Sequence, residues 1–405
     1  MALLTPFRAL RPAPAVAARV ASVPYDVVST AEARALAQQE PLSFLHVTRS
    51  EIDLPDATPP YDASVYARAA ENLRALTADA PLVRDPEPTL YFYRQQMGAH
   101  VQTGLAGCFS VDEYERDLIR KHEKTRPDKE DDRTRHIIEV RAQTGVVFLT
   151  YRASAAVDAV AARACAGAPL YDFAAPDGIR HTVWPVPAAD ARALVEAFAA
   201  IPALYIADGH HRAASAARAR ATLRDRGLPA TEADVFIAVA FPDTQLQILP
   251  YHRVVKDLNG HTPATFLDAL RTRLTVTDGG PVPSRPGEVS MFLDGRWYSL
   301  NMPASPAGTS RADGLAVAVL QREVLEPLLG IGDVRTDKRI DFVGGARGTG
   351  ALEALVTSGQ AAVAFSMYPV TVDDLIAVSD AGGIMPPKST WFEPKLRDGL
   401  LVHQI

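Results

Sequence analysis

The chain has 405 residues, 47% of them hydrophobic and 22% charged, with a formal net charge of −6. Those values exclude a broadly disordered chain and suit two or three domains, each with its own core. The acidic balance argues against a broad nucleic-acid or anionic-membrane surface, so neither partner is expected.

Cys108 and Cys165 are the two cysteines. They lie outside any CxxC pattern and read as buried thiols in a reducing cytosol. No run approaches the roughly 18 apolar residues of a membrane span. The N-terminal MALLTPFRALRPAP lacks the long apolar stretch of a signal peptide, and a cytoplasmic location is expected.

In chain order, Pro6, Pro12, Pro14 and Pro24 predict an extended opening. Residues 23–28 read as a compact strand and turn containing Tyr25 and Asp26, and Ser29 or Thr30 caps a helix over 31–39. SFLHVTR at 43–49 predicts a strand, and 61–77 a helix with Val65, Ala69, Leu73 and Leu76 on one face. A hairpin turning near Gly98 is expected from 89–96 and 101–111.

The stretch 114–141 is the most highly charged and predicts a solvated pair of helices. His122 and Glu123 precede a Thr125-Arg126-Pro127 break, and Lys129, Arg133, Arg135 and His136 follow, so these polar groups are candidates for a shared pocket. A buried strand at 144–152, a hairpin turning at Asp177-Gly178 and a helix over 190–201 come next. His181 reads as hairpin surface.

The segment IPALYIADGHHRAASAAR, at 201–218, combines an apolar strand, a polar turn and an alanine-rich helix. A helix start carries unpaired N–H groups and the positive end of the helix dipole, a ready site for phosphate or carboxylate. Asp208, Gly209, His210, His211 and Arg212 put a carboxylate, two imidazoles and a guanidinium on that turn. No metal is expected through both imidazoles, because side chains of adjacent residues diverge on a helix.

Strands follow at 234–242 and 246–255. From 256 the chain predicts a second unit: an amphipathic helix, a hairpin around Asp294-Gly295, a helix over 315–329, a Gly-rich turn and a strand at 361–369. Thr371 caps a last helix, and a Pro-rich tail carries Lys388, Ser389, Thr390, Lys395 and Arg397. The expected class is α/β (α+β), with mixed sheets and packed helices. Residues 1–255 are expected to form a catalytic domain, and 256–405 a smaller α/β unit whose tail has the option of returning to the site.

There is no P-loop, nucleophile elbow, HExxH, GxGxxG or CxxC. GGARG at 344–348 lacks the Lys-Ser/Thr of a Walker motif and reads as a structural turn.

Across PFRALRP, VPYDVVS, SFLHVTR, KHEKTRPDKEDDRTRH, YIADGHHRAASAAR, KRIDFVGGARG and MPPKSTWFEPKL, the chain resembles a bacterial and archaeal family catalogued as domain of unknown function 1015. That label names no reaction. The ADGHHRAASA segment is also similar to the phosphate-binding turn of the ParB/sulfiredoxin superfamily. Free serine kinases of that superfamily carry a comparable Asp-Gly-x-His-Arg, matched here by Asp208, Gly209, His211 and Arg212, with His210 at the variable place.

The resemblance implies phosphoryl transfer from ATP or ADP to a small hydroxyl metabolite, with Mg²⁺ an option and serine the first choice. Gly209 and the following amides would hold phosphate while His211 and Arg212 neutralise charge. Glu123, with Asp26 in reserve, is the candidate to deprotonate the hydroxyl, and Asp208 is a further carboxylate for that proton or for Mg²⁺. Tyr25, His122, Arg126, Arg133, Arg135, Lys388 and Ser389 complete the candidate binding set. The alternatives are a phosphatase of a small phosphoester such as phosphoserine, or a non-catalytic nucleotide-binding regulator. Homo-oligomer formation is left open.

Overall fold

The computed structural model describes residues 4–78 and 81–405. It is a mixed α/β structure of two compact units: Met1–Leu246 with Pro394–Ile405, and Gln247–Glu393. The division falls before 255 because the strand Tyr251–Val255 pairs on both sides with strands of the second unit. The last residues belong to the first unit, where Ser22 bridges Asp398, Leu10 bridges Val402, and His403–Gln404 pairs with Ala142–Gln143.

The first unit is built on a nine-stranded mixed sheet. Its order is Ile119–Arg120, Leu204–Asp208, Val147–Tyr151, Val235–Pro242, His100–Ser110, Tyr91–Met97, Arg180–Pro185 and Tyr171–Ala174, with Leu4–Thr5 added beside His100–Ser110. Val147–Tyr151 is buried along its whole length, as its apolar run predicts. The hairpin Tyr91–Met97/His100–Ser110 turns at Gly98, which takes φ +58°.

The helix His210–Asp225 lies on this sheet. Ala213, Ala216 and Ala217 join Leu149, Ile206 and Phe236 in the main core, their short side chains permitting close approach. The helix Pro127–Val140 packs against it, and Ala63–Ala78 against that in turn. Val65, Ala69, Leu73 and Leu76 are buried as the helical spacing predicts.

Several local expectations are corrected. The 43–49 segment is not a strand: Leu45–Thr48 is a helical turn running on into Ser50–Asp53. Its apolar residues serve two different clusters, Phe44 and Val47 one and Leu45 the other. Helical spacing achieves that division, since positions three apart share a face. The charged 114–141 stretch is one full helix and the end of another, with a strand between them, rather than a helix pair. Val111–Glu115 is followed by the two-residue strand Ile119–Arg120, and a second helix begins with Pro127 at its first position, where the missing N–H costs nothing.

The second unit has a six-stranded antiparallel sheet, ordered Thr275–Asp278, Arg296–Asn301, Glu288–Leu293, Val363–Met367, Tyr251–Val255, Ile340–Gly344. Phe266, Leu270, Leu320 and Val324 fill one core against it, and Leu352 helps fill another. The strand expected over 246–255 is broken by Pro250 into Gln247–Leu249 and Tyr251–Val255, because proline donates nothing to a ladder. The helix expected over 315–329 is Ala316–Leu320 followed by a π turn at Gln321–Leu325.

Candidate functional site

The central strand Leu204–Asp208 passes directly into the helix His210–Asp225 through Gly209, whose φ is +95°. Only glycine adopts that conformation freely. A Cβ there would also stand 3.3 Å from Arg212 Nη1 and 3.4 Å from the Val147 Cα. Sequence and geometry therefore agree on why the turn is Asp-Gly followed at once by a helix.

The three cationic or titratable side chains after Gly209 do not converge. His210 turns inward, 5% exposed, with its ring edge-to-face at 4.4 Å from that of His122. Its Nε2 accepts the His122 backbone N–H at 3.4 Å. His211 turns toward the 121–126 connection, where its Nε2 accepts the Arg126 backbone N–H at 3.0 Å. Arg212 runs beneath the turn: Nη1 donates to the Val146 carbonyl at 2.8 Å, and Nη2 to both oxygens of Asp26 at 3.0 and 2.8 Å. The expectation of one shared anion-facing cluster is corrected. Successive helical residues point about 100° apart, so each of the three finds its own partner.

Arg212 is the electrostatic hub. Its guanidinium is 6% exposed and lies 3.7 Å from Asp208 as well as on Asp26. Burial works against its charge, but the carboxylates of Asp26 and Asp208 outweigh that and hold it firmly protonated. Burial likewise works to neutralise Asp208, yet the charges of Lys395 and Arg212 win and hold its pKa at about 2. Lys395 Nζ is 3.6 Å from the Asp208 carboxylate. Asp398 goes the other way: burial and the nearby Asp26 raise its pKa to about 7 despite Arg212 and backbone N–H groups of Val146 and Tyr25.

The imidazoles are held neutral. Burial lowers the His122 pKa to about 4, against the opposing pull of Asp208 and the Ile206 carbonyl. Burial, with His122 adding to it, pushes His210 well below the ordinary histidine value, and burial lowers His211 as well. Neither ring after Gly209 is a standing cation.

The remaining candidates divide between site and scaffold. Tyr25 is buried, its ring 4.3 Å from the Arg133 guanidinium and 5.8 Å from that of Arg212, and burial raises its pKa. Glu123 is about half exposed, 3.9 Å from His210 Nδ1. Arg126 pairs with Asp128 at the surface. Arg133 is not open to a phosphate: it binds Asp132 at 2.8 Å and the Thr48 carbonyl. Arg135 covers the Tyr66 ring and donates to the Tyr61 carbonyl, and Lys129 donates to the Tyr61 hydroxyl. His136 pairs with Thr144 Oγ1 at 3.1 Å.

Lys388 and Ser389 lie in the second unit, where Lys388 takes φ +56° with its Nζ 5.4 Å from the Tyr251 ring, and Ser389 Oγ donates to the Pro386 carbonyl. His181 is fully buried rather than at the surface, its Nδ1 2.8 Å from the Tyr93 hydroxyl while Nε2 accepts from Arg397 Nε at 3.2 Å.

Two residues of the site lacked an assigned role in the sequence reading, Lys395 and Asp398. The available signal is a pair of charges, Arg397 and Asp398, separated only by Gly399 from the apolar run Leu400, Leu401, Val402. Charges placed there point inward with their neighbours. Beneath the turn is a cavity of about 20 Å³ lined by Tyr25, Arg133, Thr144, Gly145, Val147 and Arg212, among others. Arg212 Nε has no hydrogen-bond partner among the described residues. The cavity is about the size of one water molecule, so it is no substrate pocket.

The chain belongs to the family described as "Protein of unknown function (DUF1015)", whose model matches residues 4–323. No curated protein matches the sequence. Three solved structures illustrate what the fold is similar to. A conserved hypothetical protein from Pyrococcus furiosus is 13% identical with a TM-score of 0.36, over 73% of this chain and 94% of that one. A free serine kinase in complex with AMP is 11% identical with a TM-score of 0.38, over 73% and 91%. SbnI with a C-terminal truncation, from Staphylococcus aureus, is 14% identical with a TM-score of 0.40, over 73% and 86%. Among the described residues no helix is long and apolar enough to cross a membrane.

Proposed function

We propose that this member of the DUF1015 family binds nucleotide phosphates at the start of the helix His210–Asp225 and transfers a phosphoryl group to the hydroxyl of a small metabolite, with serine the first candidate. The observation that carries the reading is the pair Asp26 and Asp208 held on one buried guanidinium, Arg212, at a glycine turn opening a helix. Phosphoryl transfer asks mainly for positioning and charge neutralisation. The first-turn amides and helix dipole offer the phosphate donors, and Lys395 beside Asp208 adds a cation.

Arg212 acts from beneath as a positioning residue, fixing Asp26 at the mouth of the turn with its carboxylate 39% exposed. Glu123, the first choice from sequence, sits instead beside two imidazoles. Asp26 is therefore assigned the hydroxyl proton: as the substrate oxygen bonds to the terminal phosphorus and the bridging P–O bond breaks, the proton passes to Asp26 and the shortened nucleotide leaves. Mg²⁺ enters as the counter-ion of the nucleotide phosphates.

The test is phosphorus NMR of the full chain with ATP or ADP, Mg²⁺ and a panel of amino acids and phosphoamino acids. A new phosphomonoester resonance that requires both nucleotide and hydroxyl acceptor is expected. Release of inorganic phosphate from phosphoserine without nucleotide would replace this reading with a phosphatase. Nucleotide binding without turnover would replace it with a regulator.

A further inference from the structure

We propose that His122, His210 and Glu123 form a binding site for a divalent transition-metal ion of the zinc class. Their donor atoms all lie within 4.8 Å of one another, and the strand pairing explains why. Ile119–Arg120 runs parallel to the central strand, Leu204 opposite Ile119 and Tyr205 opposite Arg120. The residues just beyond this pairing, 121–123 on one side and 206–210 on the other, are thereby fixed side by side. Backbone ladders set this juxtaposition, so it does not depend on flexible side chains finding one another.

The second observation is His122 itself. It is 1% exposed, and among the described residues both ring nitrogens lack a hydrogen-bond partner. A buried imidazole with neither nitrogen satisfied costs on the order of 1–3 kcal/mol, and buried polar groups are rarely left so. A cation between the rings gives one of those two nitrogens a partner.

His210 presents Nδ1 toward Glu123, at 3.9 Å from Oε2. Ion uptake places the ring proton on Nε2 and gives up the long 3.4 Å contact from the His122 amide. Two imidazoles and one carboxylate match zinc-class ions, whereas Mg²⁺ selects oxygen ligands. Three protein donors also leave a coordination position for a further ligand.

The site stands apart from the phosphotransferase reading because its test reads metal and not turnover. The full chain, stripped with chelator, is titrated with Zn²⁺ by calorimetry and with Co²⁺ by visible absorption. The expected result is one tightly held ion per chain, with Co²⁺ bands of a low-coordinate nitrogen–oxygen site and no displacement by excess Mg²⁺. His122→Ala and His210→Ala should each weaken binding by more than the roughly 10–100-fold typical of a lost outer-shell partner. Glu123→Gln, at a half-exposed position that does not threaten folding, should weaken it measurably too, and His100→Ala should leave it unchanged. No stoichiometric uptake, displacement by Mg²⁺, or equal affinity in Glu123→Gln and the parent chain would overturn the assignment.

Discussion

Arg212 donates Nη2 to both carboxylate oxygens of Asp26, at 3.0 and 2.8 Å, across 186 positions of sequence. Its other terminal nitrogen is taken by the Val146 carbonyl, so the side chain ties the 25–27 turn, the strand start at 146–147 and the central helix together. A guanidinium with its fork filled in this way is a strut, and what it presents to solvent is the carboxylate it holds.

Removing the strut strands charge. Arg212→Ala takes the shared cation from Asp26 and Asp208; because the Asp26 carboxylate is 39% exposed and Asp208 keeps Lys395, the loss should fall below the roughly 3–5 kcal/mol of a fully buried pair. Arg212→Lys should recover little of this, because an ammonium cannot serve Val146 and Asp26 at once in fork geometry. Urea unfolding of the two variants checks both statements, with a lysine variant near parental stability as the contrary result.

Gly209→Ala should destabilise the fold by about 1–3 kcal/mol, since an alanine at φ +95° is strained and its Cβ would press on Arg212 and Val147. Gly178→Ala, at φ +81° with open space around it, shares the strain without the contact and should cost less. The difference between the two thermal shifts isolates the close approach at the turn.

Asp398 should make stability fall as pH rises through neutrality. Its folded pKa of about 7 lies above the ordinary carboxylate value, so the native state holds a proton that the unfolded chain has released. That contribution is complete below about pH 4 and is lost as pH climbs through about 7. Asp398→Asn keeps the neutral shape and removes the titration. Relative to the parent, the variant should gain on the order of 1–3 kcal/mol on going from pH 5 to pH 8. Parallel stability curves across that range would show that Asp398 does not titrate there.

The turn itself was readable because its signals are local. Asp208-Gly209 between an apolar run and an alanine-rich stretch announces strand, left-handed glycine and helix in sequence order, and the structure has each of them. What surrounds the turn was not local. Arg212's partners are Asp26 and Val146, Asp208's is Lys395, and no spacing rule reaches across such separations. The basic residues Arg133 and Arg135 looked like phosphate ligands because sequence cannot show that Asp132 and the Thr48 and Tyr61 carbonyls already occupy their donors. The strand misread at 43–49 failed for a related reason. Which core each apolar residue serves is decided by tertiary packing, and here Phe44 and Leu45 serve different ones.

The most direct test of phosphoryl transfer at this turn separates binding from chemistry in Asp26→Asn. The amide retains the shape and still accepts from Arg212, but it takes up no proton. Nucleotide affinity measured by calorimetry should stay within a few-fold of the parent, while single-turnover transfer to the hydroxyl acceptor falls by roughly 10²–10⁴, the span of general-base catalysis. Transfer at the parental rate in Asp26→Asn, with nucleotide still bound, would contradict the account.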